Sequence, residues 1–165
     1  MFENIKPLTT AHLPEYAEVI RKSFATATTD YGLTTENCPG HWSFISNEAL
    51  ASRFKEGYCP FGYFVDGKII GFVSLSNLGD GIYEMNAVSI LPEFRHRGYG
   101  KRLLDFCKSK VKEFGGHKIK IGLADTDNVL KTWYASNGFI HTGTMTFEYL
   151  PLPVGYMEWK CCVDT

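Results

Sequence analysis

Apolar and polar positions change their period several times along the chain, and each change marks an element. Phe2 to Leu8 reads as a first strand. From about Thr10, the residues Leu13, Tyr16, Ala17, Ile20 and Phe24 recur at helical spacing and predict a helix with one buried face. Pro14 fits there only because it lies in the first turn. Between Ala25 and Trp42 the pattern dissolves into Thr, Asp, Gly, Asn and Pro, which predicts a loop or lid. A short second helix is expected from Ser46, an N-cap residue type, to Glu56, stopped by Gly57.

The period then becomes strand-like. Gly62 to Val65 and Lys68 to Leu75 flank Asp66-Gly67, a strong two-residue hairpin signal, and Gly81 to Ile90 is a further strand. Gly98 to Phe114 reads as helix, with Leu103, Leu104, Cys107 and Val111 on one side and Lys101, Lys108 and Lys112 largely on the other. Gly115-Gly116 ends it. Lys118 to Leu123 is a strand, Asn128 to Ser136 a helix, and Phe139 to Tyr149 and Gly155 to Val163 are two closing strands. An antiparallel meander leading into a strand-helix-strand unit predicts an α/β (α+β) fold. Its central sheet is mixed, mostly antiparallel and of about seven strands, flanked by about four helices.

The 165 residues suit one domain, 1–165, with one interior. A net charge of −1 argues against a nucleic-acid binder that relies on bulk positive charge, since such proteins need a basic excess to displace counterions. No basic stretch followed by an apolar run opens the chain, and no apolar run approaches the ~20 residues that cross a bilayer. Five cysteines without a Cys-x-x-Cys pair read as reduced thiols, so the expected setting is cytoplasmic, without a membrane partner. Cys161 and Cys162 are adjacent in a strand and so point to opposite faces. The five histidines show no ligand spacing, and no metal is expected.

The richest segment runs from Val88 to Leu104. A strand ends at Pro92, and a helix opens inside a turn holding Gly98 and Gly100. The first N–H groups of a helix lack intrahelical partners and carry the positive end of its dipole. Glycines let a diphosphate reach them without Cβ obstruction. Arg95, His96, Arg97, Lys101 and Arg102 surround the turn and suit a highly charged anion. The dinucleotide fingerprint and the P-loop are both unmatched, which leaves R-x-x-G-x-G between a strand and a long amphipathic helix. Glycines and basic residues alone also fit a tight, solvated strand-to-helix turn.

Arg95-His96-Arg97-Gly98-Tyr99-Gly100 resembles the acyl-CoA signature Q/R-x-x-G-x-G/A of the GNAT superfamily of N-acetyltransferases, and Val88 to Phe94 looks like that family's fourth strand and its exit. Asn128 to Phe139 is similar to the family's N-x-x-A-x-x-x-Y-x-x-x-G-F, with Val129-Leu130-Lys131 lacking the common alanine. The likeness covers residues 60 to 162 well and the first 57 in outline. It implies acetyl-CoA as co-substrate; with no cysteine placed beside an activating His or Asp, direct transfer to a primary amine in a ternary complex is expected over a covalent intermediate. The coenzyme would be held by the turn from Arg95 through His96, Arg97, Gly98, Tyr99 and Gly100 to Lys101. The backbone of Val88, Ser89 and Ile90 would pair with the pantetheine amides beside an open or splayed strand edge, and Asn128 would contact the pantetheine arm or cap its own helix.

Acyl transfer to an amine needs a neutral amine, a stabilised oxyanion and a proton for the departing thiolate. Tyr134, at the Tyr of Y-x-x-x-G-F, matches the family's general acid, and a phenol is neutral at pH 7 and can donate. The other reading is a core tyrosine. Glu84 lies where several family members carry a general base. By alternation it shares a face with Asn86 and Val88, and it reads equally as a strand glutamate or an anchor for substrate charge. Cys107, without a His or Asp to activate it, reads as a buried inert thiol. Asp30, Tyr31, Glu36 and Trp42 fit either a cation site or an ordinary polar loop. A small-molecule amine is expected as acceptor over a protein terminus, a homodimer remains open as the assembly, and a non-catalytic acyl-CoA sensor is the alternative function.

Overall fold

The computed structural model describes residues 2–161. Seven strands form one sheet in the order β1-β2-β3-β4-β5-β7-β6: β1 Ile5–Pro7, β2 Tyr58–Val65, β3 Lys68–Gly79, β4 Ile82–Ile90, β5 Lys118–Ala124, β6 Ile140–Met145 and β7 Val154–Lys160. All neighbouring pairs are antiparallel except β4 and β5. Four α-helices flank it: α1 Leu13–Tyr31, α2 Asn47–Lys55, α3 Tyr99–Glu113 and α4 Asn128–Ser136. The expected mixed, mostly antiparallel architecture is therefore present. Val163 and Cys162, the end of the last predicted strand, lie outside the described residues.

Local chemistry explains most boundaries. Asp66 and Gly67 both adopt positive φ, 50° and 78°, as a two-residue hairpin turn requires. Asp80-Gly81 repeats the device between β3 and β4 at 56° and 76°. Ser46 caps α2 by accepting from the Ala49 N–H at 3.1 Å.

The predicted lid is shorter than expected, because α1 continues through Ala25–Tyr31. No glycine or proline interrupts that stretch, and two threonine hydroxyls bond back into the helix, Thr28 to the Phe24 carbonyl and Thr29 to that of Ala25, both at 3.4 Å. Gly32 stops it with φ 61° and an N–H to the Thr28 carbonyl.

The sheet carries a core on each face. On one side Leu103, Leu104, Cys107 and Val111 of α3 pack with Tyr83, Met85, Ile119, Ile121 and Met157. On the other, Tyr16, Ala17 and Ile20 of α1 meet Phe72 and Ala87, with the Tyr16 and Phe72 rings stacked 5.2 Å apart. The helical faces read from the sequence are the faces that are buried.

Candidate active site

The site begins with an irregularity in β4. Asn86 pairs with Ser74 and Ser89 with Phe72, so Val73 alone faces both Ala87 and Val88. Ala87 takes a left-handed φ of 54°, which makes this a bulge. The Ser89 hydroxyl is buried and braces it by donating to the Ala87 carbonyl at 2.8 Å. The bulge corrects one expectation. Ala87 packs with the α1-side core and Val88 with the α3-side core, so Glu84 shares its face with Asn86 but not with Val88. Simple alternation fails because one extra residue inverts every position after it.

Beside the bulge the sheet opens. β4 and β5 pair only at Ile82↔Lys118, Tyr83↔Ile119 and Glu84↔Lys120, after which they part. Glu84 and Lys120 thus sit on the last rung, at the vertex of a cleft whose walls are the ends of β4 and β5. This is the splay that pairing with an extended ligand arm would need. On the β4 wall the Ile90 N–H already donates to the Ser23 hydroxyl of α1 at 3.2 Å, so that amide is not available to a ligand as expected.

At the mouth of the cleft a short 3-10 turn, Pro92–Phe94, leads into α3. The first bond closing that helix runs from the Arg102 N–H to the Gly98 carbonyl. Among the described residues, the N–H groups of His96 to Lys101 make no backbone bond outside the helix, and the opening positions of a helix have none within it. Gly98 adopts φ 85°, and a Cβ there would point into open space. Its necessity is therefore conformational. Gly100 is different: a Cβ would lie 3.0 Å from Trp133 Cζ2, so this glycine lets α3 touch α4. His96 also holds a positive φ, 63°.

The basic residues divide in role. Arg95 turns away from the mouth and ties β4 to α1. Its Nη2 donates to the Ser23 carbonyl at 2.6 Å, its Nη1 to the Thr26 hydroxyl at 3.1 Å and its Nε to the Ile90 carbonyl at 3.3 Å. Its own N–H donates to the Pro92 carbonyl. The residue expected to grip an anion thus positions the turn instead. His96 and Arg97 are exposed, and Lys101 pairs with Asp105 at 2.7 Å. The Tyr99 ring packs edge-on against Tyr63, 5.0 Å away.

The second motif lies on α4. Asp127 caps this helix by accepting from the Leu130 N–H at 2.9 Å, which leaves the exposed Asn128 free of the capping role it was offered. Lys108 donates to the Asn137 carbonyl at the other end, a cation on a helix C-terminus. Tyr134 is 6% exposed, its ring edge-on to Trp133 and Phe139. Its hydroxyl makes no hydrogen bond to another described residue. Burial, with a smaller contribution from the neighbouring Cys107, holds its pKa above the ordinary phenol value. Cys107 is fully buried and its thiol is likewise pushed up by burial, as an inert core cysteine should be. Among the described residues no group of three or more His, Cys, Asp or Glu gathers in one place, and no helix is long and apolar enough to cross a membrane.

Glu84 and Tyr134 lie on opposite sides of the sheet, Glu84 on the α1 face and Tyr134 in the α3-side core. They can act on one molecule only through the gap between β4 and β5. Sequence reasoning missed two things here: the bracing of the turn by Ser23 and Thr26, which sit in no motif, and Lys120 at the vertex. The alternation Lys118-Ile119-Lys120-Ile121 was the available signal for the latter.

The splayed sheet with helix-start amides at its mouth has room and donors suited to an elongated, phosphate-bearing molecule. Comparisons with known proteins agree. A match to the acetyltransferase (GNAT) family spans residues 23–139. An uncharacterised N-acetyltransferase from Lactobacillus delbrueckii subsp. lactis is 29% identical over 139 residues, covering 76% of this chain and 78% of that one. Two solved structures share the fold. The ribosomal-protein-S18-alanine N-acetyltransferase of Escherichia coli has TM-score 0.76 and 16% identity, over 98% of this chain and 95% of that one. The PaiA N-acetyltransferase of Thermoplasma acidophilum, in complex with coenzyme A, has TM-score 0.73 and 23% identity, over 94% and 97%. The chain belongs to the acetyltransferase (GNAT) family, and its activity is that of an acyltransferase.

Proposed function

We propose that the protein moves the acetyl group of acetyl-CoA directly onto a primary amine, with both substrates bound at once. The observation that carries this reading is the meeting of two features at one place: a cleft that opens past Glu84↔Lys120, and the helix-start N–H groups of α3 at its mouth. The amides from His96 to Lys101 hold the diphosphate, aided by the exposed side chains of Arg97 and His96. Val88 and its neighbours in β4 line the pantetheine arm, and Asn128 faces it from α4.

Acetyl-CoA supplies the activated acyl carbon. Glu84 takes a proton from the amine as nitrogen bonds to that carbon. The Tyr134 hydroxyl donates its proton where the carbon–sulfur bond breaks and regains one from solvent. Burial holds the phenol above its ordinary pKa, so the hydroxyl carries its proton throughout the physiological range and has one to give. Such proton transfers typically contribute about 10²–10⁴ in rate. The acceptor in this reading is a small-molecule amine.

The test is thiol release from acetyl-CoA with a panel of amines, together with calorimetric binding of coenzyme A. Thiol release that depends on the amine, with a matching mass gain, supports the reading. Coenzyme binding without turnover of any amine leaves the sensor alternative in place, and no binding ends both.

A further inference from the structure

The register places a continuous row of side chains across the sheet on the α1 face: Ser76, Glu84, Lys120, Glu158 and Ile140, on β3, β4, β5, β7 and β6 in turn. Glu84 and Lys120 are neighbours on adjacent strands, about 4.8 Å apart along the hydrogen-bonding direction. Glu84 forms no ion pair with another of the described residues. Lys120 meets Glu158 only loosely, at 3.7 Å, and its side chain is 44% exposed. Glu158 has a second partner, because Lys118 lies 3.5 Å away and is the more buried of the two lysines at 21%. Lys118 therefore keeps Glu158 neutralised if Lys120 turns to another anion. Lys120, Tyr156 and Glu158 also line a shallow cavity of about 290 Å³ that continues from the vertex over β7 and β6.

Resting on the acetyl-transfer reading above, we infer that Lys120 is the anchor for an anionic group on the acceptor. The acceptor class is then an amine with a carboxylate, or an anion of similar size, on the carbon next to its nitrogen. The spacing carries this. An amine presented to Glu84 at the vertex puts a substituent on the adjacent carbon over the neighbouring strand, where Lys120 stands. The rest of the molecule extends into the cavity beside Tyr156. A polycationic acceptor meets the lysine's like charge at the same point and is disfavoured.

The experiment compares α-amino acids with their carboxamides as acceptors, measured as kcat/KM, beside calorimetric binding of coenzyme A. The carboxamide has the less basic amine and would react faster were there no anion site. The expected result is a preference for the acids of about tenfold or more, the usual worth of a hydrogen bond to a charged group. Lys120→Met should remove that preference mainly through KM, leaving the carboxamides within about twofold and coenzyme affinity unchanged. Lys120→Glu should invert it in favour of a diamine such as 1,4-diaminobutane. Equal rates for acids and carboxamides, or an equal loss for both in Lys120→Met, overturn the inference. So does intact coenzyme binding with turnover of neither set, which leaves the cradle standing. Failure of the wild-type protein to bind coenzyme removes the acetyl-transfer reading and this one with it.

Discussion

The turn between β4 and α3 and the row of side chains across β4, β5 and β7 are built on different principles. In the turn, almost every requirement is local. Gly98 is needed for its left-handed backbone, and the unpaired amides follow from a helix beginning there. Short-range demands of this kind leave a mark in a few consecutive residues. The row is assembled from strands separated by up to dozens of residues, and what each side chain faces depends on register. Binding a feature common to many ligands calls for the first kind of construction, while discriminating among acceptors is left to the second.

The contrast can be broken at several points. The largest expected effect is on chemistry. Tyr134→Phe should lower kcat by about 10²-fold or more while coenzyme affinity, read by calorimetry, stays within a few-fold. Loss of affinity in parallel would mean that the hydroxyl only supports the core. Glu84→Gln should cost a similar factor with strongly basic amines, and the deficit should shrink with an acceptor amine that is already neutral at the assay pH. A deficit independent of amine basicity would point to a different base.

Next comes Gly98→Val, which forces a β-branched residue into φ 85°, at a cost of roughly 1–2 kcal/mol, and misaligns the amides. Coenzyme affinity should fall at least about tenfold, with a lower unfolding midpoint. Full affinity would remove the cradle. The smallest effect is on stability. Cys107 and Tyr134 are buried with raised pKa values, so the folded chain keeps protons that the unfolded chain loses. Stability should be fully present below about pH 8.5, the unfolded thiol value, and decline as pH rises past it and past about 10 for the phenol. Cys107→Ala should flatten the first part of that decline in thermal melts.

The helical faces, the Asp66-Gly67 hairpin and the position of Tyr134 were legible because period and turn chemistry are carried by neighbouring residues. Three features were not. The bulge at Ala87 leaves no trace in composition, yet it moves Val88 to the other face. Gly100 reads as a phosphate-binding glycine but answers to Trp133, a contact made across the fold. Arg95 occupies the first position of a coenzyme motif, and only its partners on α1 reveal that it works by holding the turn in place.

Those partners have a mechanical consequence. Ser23 receives the Ile90 N–H at its hydroxyl and the Arg95 guanidinium at its carbonyl, so a single residue of α1 joins the cleft wall to the anion-binding turn. An acceptor that displaces α1 must break these bonds or carry the turn along with it. Acceptor and coenzyme then cannot bind with independent energies, and each must alter the other's affinity by the same factor. Coenzyme titrations with and without a saturating acceptor read that factor, and a value of one would mean that the joint yields without transmitting anything.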